Sequence, residues 1–180
     1  EGITNADDEK RAHWSRIAEQ FRAEVLEKGV HPDGHFVQSY GSDRLDAALL
    51  LIPIVGFLPP DDPRIAATAD AIARDLTIDG LVERYRADDS ADGLPAGEGT
   101  FLACSFWLVE NYALLGRIDQ ARVLLERLLG LCNDVGLLAE EYDPRSKRML
   151  GNFPQGYSHV ALVNAALRLH GCMGKKEAHP

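Results

Sequence analysis

Apolar positions along the chain fall into six segments of helical period, and these alternate between two kinds. In residues 9–28, Trp14, Ile17, Ala18, Phe21 and Val25 share one face with charges opposite, which predicts a helix with one wet side. Residues 45–55, LDAALLLIPIV, are apolar nearly all round and predict a buried helix. Residues 63–76 return to the one-sided pattern through Ile65, Ala69, Ile72 and Leu76, with Asp61, Asp62 and Pro63 as a helix-start signal. Residues 100–115, TFLACSFWLVENYALL, are again apolar on most sides. Residues 117–131 are one-sided through Ile118, Ala121, Leu124, Leu125 and Leu128, and residues 158–169 are apolar apart from Asn164 and Arg168.

A helix buried all round needs helices on every side, so the alternation predicts an all-α fold in which inner helices face one another and amphipathic ones lie outside. That is the wall of an α/α toroid. Inner-to-outer links are short (residues 56–62, then little more than Gly116), whereas residues 29–44, 77–99 and 132–157 are long outer-to-inner links. In an up-and-down arrangement these three emerge at one end, where long loops on a rigid scaffold build a site. Three helix pairs make about half of a six-pair ring. A solenoid of stacked pairs is the alternative, but no repeat of fixed period is visible.

A chain of 180 residues with 46% hydrophobic content can bury a core and fits one domain. Its net charge of -9 argues against nucleic acid or an anionic membrane surface as partner. No apolar run approaches a membrane span, and the N-terminus lacks the basic start and apolar stretch of a signal peptide. Cys104, Cys132 and Cys172 match no zinc spacing and read as free thiols in a reducing compartment, the cytoplasm.

The chemistry-bearing residues concentrate in the long links. Glu140 and Glu141 stand side by side in the third, and a pair of carboxylates can hydrolyse a glycosidic bond. Adjacent side chains diverge, so at most one of the two faces a cleft, and solvated surface charge is the plainer reading of such a pair. The second link carries Arg84, Tyr85, Arg86 and Glu98, suited to sugar hydroxyls and a pyranose face. Arg84 and Arg86 equally suit balancing Glu83, Asp88, Asp89 and Asp92. The run from Asp88 imitates a calcium loop but has Gly99 where the closing Glu belongs. Tyr40 and Gly41 in the first link are placed at the rim, with Asp43 as the cap of the following helix. His31, His35 and His159 read as too scattered for a metal site or triad, His159 as a hydrogen-bonded core residue, and Phe106 and Trp107 as core. No nucleophile elbow or phosphate-cradling glycine motif is present. No cofactor or metal is called for.

The stretches QSYGSDRLDAALLLIPIVGFLPPDDPRI, DGLVERYRADDSADGLPAGEGTFLACSFWLVENYALLGR and NDVGLLAEEYDPRSKRMLGNFPQGYSHVALVNAA resemble the C-terminal half of glycoside hydrolase family 15, over residues 14–169. The resemblance implies half of an (α/α)6 barrel of inverting, exo-acting enzymes on α-linked glucosides such as starch, malto-oligosaccharides or trehalose. Residues 1–170 would form that half and residues 171–180 a polar tail. The family's general base opens an acidic-aromatic stretch ahead of a Gly-Asn-Phe-Pro loop and a Ser-His helix start, which here makes Glu140 the base and Glu141 its neighbour. Its substrate-binding arginine maps to Arg84, with Glu98 as a further sugar contact; Tyr40 and Glu141 are candidate sugar contacts beside them. The family's general acid lies in a Trp-Glu-x-Arg motif that this chain lacks. The resemblance therefore implies that the acid belongs to an N-terminal half of the same polypeptide, that this chain alone is inactive, and that its exposed inner helices favour self-association. The alternatives from other classes are a non-catalytic helical interaction module of the same ancestry and a different α/α toroid enzyme, a lyase or epimerase.

Overall fold

The computed structural model of the chain describes residues 8–86 and 99–177. Helix α1, Asp8–Lys28, begins on Asp8 and Glu9 and ends on Lys28, charges that complement its dipole. Its last turns reach a small core of Phe36, Leu58 and Ile65 through Val25 and Leu26. The rest of its apolar face finds no cover among the described residues, leaving Trp14 51% and Phe21 64% exposed.

The segment at 45–55 does not form the continuous helix that its composition predicts. A 3-10 turn, Ala47–Leu50, runs into the single turn α2, Leu51–Ile54. Pro53 explains the break, because it has no N–H for the carbonyl four residues back and its ring collides there. The cap is Asp46, whose side chain accepts from the Ala48 N–H at 2.7 Å, and not Asp43. Helix α3, Pro63–Asp75, starts as predicted, with Pro63 at its first position and the Asp62 carboxylate accepting from the Arg64 N–H at 3.0 Å.

A tight hairpin follows. Strands β1, Thr77–Ile78, and β2, Leu81–Val82, pair antiparallel around Asp79 and Gly80, whose φ values of 47° and 70° are those a two-residue hairpin turn requires. Strand β3, Thr100–Phe101, leads straight into α4, Leu102–Leu114. Gly116, at φ 72°, makes the sharp turn into α5, Ile118–Leu129. Strands β4, Glu141–Asp143, and β5, Arg148–Leu150, precede α6, Gly156–Glu177. That helix continues past Leu169, where the pattern predicts its end, and into the segment read as a tail.

The core is built around α4, which packs on α5 to one side and α6 to the other. Leu102, Cys104, Phe106, Leu108 and Val109 on different faces of α4 are all essentially inaccessible, as an inner helix requires. At the surface Arg117, at the start of α5, pairs with Asp70 of α3, and Arg127 of α5 pairs with Asp79 in the β1–β2 turn at 2.6 Å. Helix α6 is covered on one side only. Ala161, Ala165 and Leu169 enter the core, whereas Val160, Val163 and Leu167 are 57%, 51% and 66% exposed.

The three long links do gather at one end. The N–H of Ala47, where the 3-10 turn that follows the first link begins, donates to the Arg84 carbonyl of the second at 2.8 Å. Strands β3, β4 and β5 form one antiparallel sheet that joins the second to the third, with Phe101 opposite Glu141 and Glu141 opposite Leu150.

One buried charge sits between inner helices. The Glu110 side chain on α4 is 3% exposed and meets Arg168 of α6 at 3.3 Å. Burial raises its carboxyl above the ordinary value of 4.5, and Arg168 partly offsets the rise. The folded state therefore holds this proton more tightly than the unfolded chain, so stability falls as pH rises from about 4.5 through the folded value. An Arg168→Met variant, which leaves the buried carboxylate unpaired, is expected to lose about 2 kcal/mol at neutral pH. It should lose little in acid, where Glu110 is protonated. Urea titrations at the two pH values check this, and equal losses at both would refute it.

Candidate active site

Glu140 immediately precedes β4, and its backbone is held on both sides. Its N–H donates to the Asn152 carbonyl at 3.0 Å, and its carbonyl accepts from the Leu102 N–H at 3.1 Å, where α4 begins. The half-buried side chain is anchored by one oxygen. Glu140 Oε2 accepts from the Asn152 backbone N–H at 3.1 Å and from Asn152 Nδ2 at 2.8 Å. Oε1 accepts no hydrogen bond among the described residues, so one oxygen is fixed and the other is open to a proton. Gly151, at φ 73°, makes this approach possible, since a Cβ there would lie 2.8 Å from Glu140 Oε2 and 3.0 Å from its Cβ.

Glu141 points elsewhere, as alternation along an extended chain dictates. Its Oε2 accepts from the Gly99 N–H at 2.8 Å. The two adjacent carboxylates are thus held by different partners, and Glu141 works as a tie between the second and third links.

The two arginines of the second link separate just as clearly. Arg86 donates through Nε and Nη2 to the Asp75 carbonyl at 3.2 and 3.0 Å, which closes the end of α3. Arg84 is exposed and makes no ion pair with any described acid; its guanidinium lies 5.4 Å from the Tyr85 ring centre. Its positive charge acts on the Tyr157 phenol, where it opposes the upward shift that burial imposes. It acts likewise on the Cys104 thiol, which burial pushes far up and leaves inert. Arg84 therefore sits near the starts of both α4 and α6.

Trp107 packs against the main core, as expected, but at its edge. It is half-buried and meets Tyr157 edge to face at 5.9 Å, while Phe106 is fully enclosed as expected. Tyr40 is 50% exposed, and its neighbours are Lys28 and Gly29 at the end of α1. No hydrogen bond or ring contact joins it to Glu140 or Arg84 among the described residues. Glu98 and the calcium-like run from Asp88 lie outside the described residues. His159 is hydrogen-bonded as expected. Its Nε2 accepts from the Leu138 N–H at 3.3 Å and its Nδ1 lies 2.7 Å from the Gln155 carbonyl. His31 and His35, by contrast, are not scattered, because a tight turn stacks their rings at 4.5 Å.

Asn152 is the residue that sequence reasoning missed. Its signal was its place in the Gly-Asn-Phe-Pro loop, twelve positions after Glu140, but nothing in that spacing discloses a carboxylate anchor.

Paired helices whose long links converge on an anchored carboxylate define the class of α/α toroid glycosidases, of which this chain is about half. The chain belongs to glycoside hydrolase family 15, matching Glycosyl hydrolases family 15 over residues 3–167. It is 51% identical over 156 residues to a trehalase of Mycobacterium tuberculosis, covering 87% of this chain and 23% of that protein. To a trehalase of Mycolicibacterium smegmatis it is 52% identical with the same coverage. An isomaltose glucohydrolase of Kribbella flavida is 40% identical over 113 residues, covering 59% of this chain and 28% of that protein. Among solved structures, a wild-type glycosidase superposes with a TM-score of 0.75 at 30% identity, covering 89% of this chain and 45% of that one. A variant glycosidase in complex with glucose does so at 29% identity with the same TM-score and coverage. The chain thus spans about a quarter of the length of the curated relatives it matches. No helix of the described residues is long and apolar enough to cross a membrane.

Proposed function

We propose that this chain supplies the general base and part of the sugar site of an inverting, exo-acting hydrolase of α-linked glucosides. The observation that carries the reading is the anchored, half-open carboxylate of Glu140. With Oε2 held by two donors from Asn152, Oε1 takes a proton from the water that attacks the anomeric carbon. Arg84, which makes no ion pair with any described acid, orients the terminal glucose with its donors. Tyr157 and Trp107 offer aromatic edges beside it. Glu98 and Tyr40 are proposed as outer sugar contacts, and Glu141 as the residue that holds the loop carrying the base.

The general acid comes from an N-terminal half of the same polypeptide, which covers the exposed face of α6. Support for this lies in the partial coverage of the glycosidase structures and in the uncovered valines of that helix. Trehalose is the substrate proposed first, because the two mycobacterial relatives named as trehalases share more identity with this chain than the isomaltose glucohydrolase does. The three free cysteines support a cytoplasmic, reducing compartment.

The test is the anomer released. The polypeptide joining this chain to its N-terminal half, given trehalose in an NMR tube, is expected to yield one β-glucose for each cleavage before mutarotation. Two α-glucose molecules would refute inversion, and no cleavage of trehalose, maltose or starch would refute hydrolysis.

A further inference from the structure

We propose that the turn at residues 31–35 binds a divalent transition-metal ion through His31, Asp33 and His35. The three side chains sit on one tight turn, and their ligand atoms lie within 4.8 Å of one another. The turn is closed by main-chain bonds from the His31 N–H to the His35 carbonyl and from the Gly34 N–H to the His31 carbonyl, both at 2.8 Å. It is fastened to the core behind it, where Phe36 is 1% exposed and its N–H donates to Thr68 Oγ1 at 2.9 Å. The imidazoles therefore project from a backbone that is fixed before any ion arrives, which lowers the ordering cost of binding.

His31 Nδ1 accepts a long hydrogen bond from the Asp33 N–H at 3.1 Å, and a bound ion would take the place of that bond on the nitrogen's single lone pair. The same nitrogen lies 3.4 Å from Asp33 Oδ2. That is close to the edge of a tetrahedron with metal–nitrogen bonds of zinc length, about 3.3 Å. On the far side of the ring Nε2 is 3.6 Å from Asp43 Oδ1. A carboxylate facing the second nitrogen is the arrangement that orients a metal-bound histidine and raises its basicity. The ligand atom of His35 lies within 4.8 Å of those of His31 and Asp33. Two imidazoles and one carboxylate select zinc-like ions over magnesium or calcium, which take oxygen ligands. The ion would cross-link the turn within the first long link, which also carries Tyr40. No step of glycoside hydrolysis runs through it, so the two readings stand or fall separately.

The test uses the tag-free chain, freed of metal with EDTA and titrated with Co²⁺ while its visible spectrum is followed. One equivalent is expected to bind, with the ligand-field bands of a low-coordinate site, and Zn²⁺ should displace it and raise the melting temperature. Asp33→Asn and His31→Gln alter side chains that are 80% and 22% exposed, and each is expected to keep its far-UV circular dichroism. Each should weaken Co²⁺ affinity on the order of 10- to 100-fold. The proposal is overturned by absent ligand-field bands, by wild-type affinity in both variants, or by intense near-ultraviolet sulfur bands that place the ion on Cys132 or Cys172.

Discussion

Replacing Glu140 with Gln in the polypeptide that joins both halves is expected to lower kcat by about 10² to 10⁴-fold, with KM nearly unchanged. The substitution keeps the length of the side chain and an oxygen for both Asn152 donors, so the loop around it stays in place. What disappears is the capacity to take a proton from water, which matters in the transition state and not in the bound ground state. A fall in kcat without a rise in KM is the signature of such a group. Steady-state kinetics on trehalose, with circular dichroism to confirm an intact fold, makes the measurement. Turnover close to that of the wild type would remove Glu140 from the role of base.

The second large effect concerns the 180-residue chain alone. Purified by itself, it is expected to release glucose from trehalose, maltose or starch at no detectable rate. An inverting hydrolase needs a second carboxyl roughly 6.5 to 9.5 Å from the base, placed across the substrate. The neighbouring acid, Glu141, is directed to the Gly99 N–H, and Glu110 is buried against Arg168. Neither is placed to serve as the acid opposite Glu140, so in the proposed mechanism the leaving oxygen goes unprotonated. The same chain is expected to self-associate, because Val160, Val163 and Leu167 form an exposed apolar stripe on α6 and burying it is favourable at about 25 cal/mol per Å². Glucose-release assays and sedimentation velocity check the pair of expectations. Appreciable turnover by pure material would contradict the first, and a monodisperse monomer the second.

Much of this architecture was legible in the pattern of apolar positions, for reasons visible in particular residues. The one-sided stripes of α3 and α5 gave their positions to within a few residues, because Asp62 with Pro63 at one end and Gly116 at another are strong local signals. Where composition alone was followed, at 45–55, Pro53 broke the helix that hydrophobicity suggested. The five short strands escaped notice because each is only two or three residues long, too brief for an alternating pattern. The Asp79-Gly80 pair was the one strong hairpin signal among them. Candidate chemistry was legible to the level of residue type. That Glu140 and Glu141 diverge followed from adjacency, but their partners, Asn152 and Gly99, are set by sheet register across 12 and 42 residues. The roles of Arg84 and Arg86 were undecided in the sequence, and only the fold shows which of them is occupied by the Asp75 carbonyl. The turn that stacks His31 on His35 depends on Gly34 at φ 91°, and no periodicity anticipates it.

The hairpin of β4 and β5 separates two demands that usually compete. Its base is fixed by the pairing of Glu141 with Phe101 and Leu150, and by the grip of Asn152 on Glu140. Its tip, from Arg145 to Arg148, is exposed and carries the left-handed Lys147. Insertions or deletions at that tip can therefore be absorbed without disturbing the strand pairs below. The tip is free to vary in length and chemistry over evolutionary time, while the Glu140 carboxylate keeps its station.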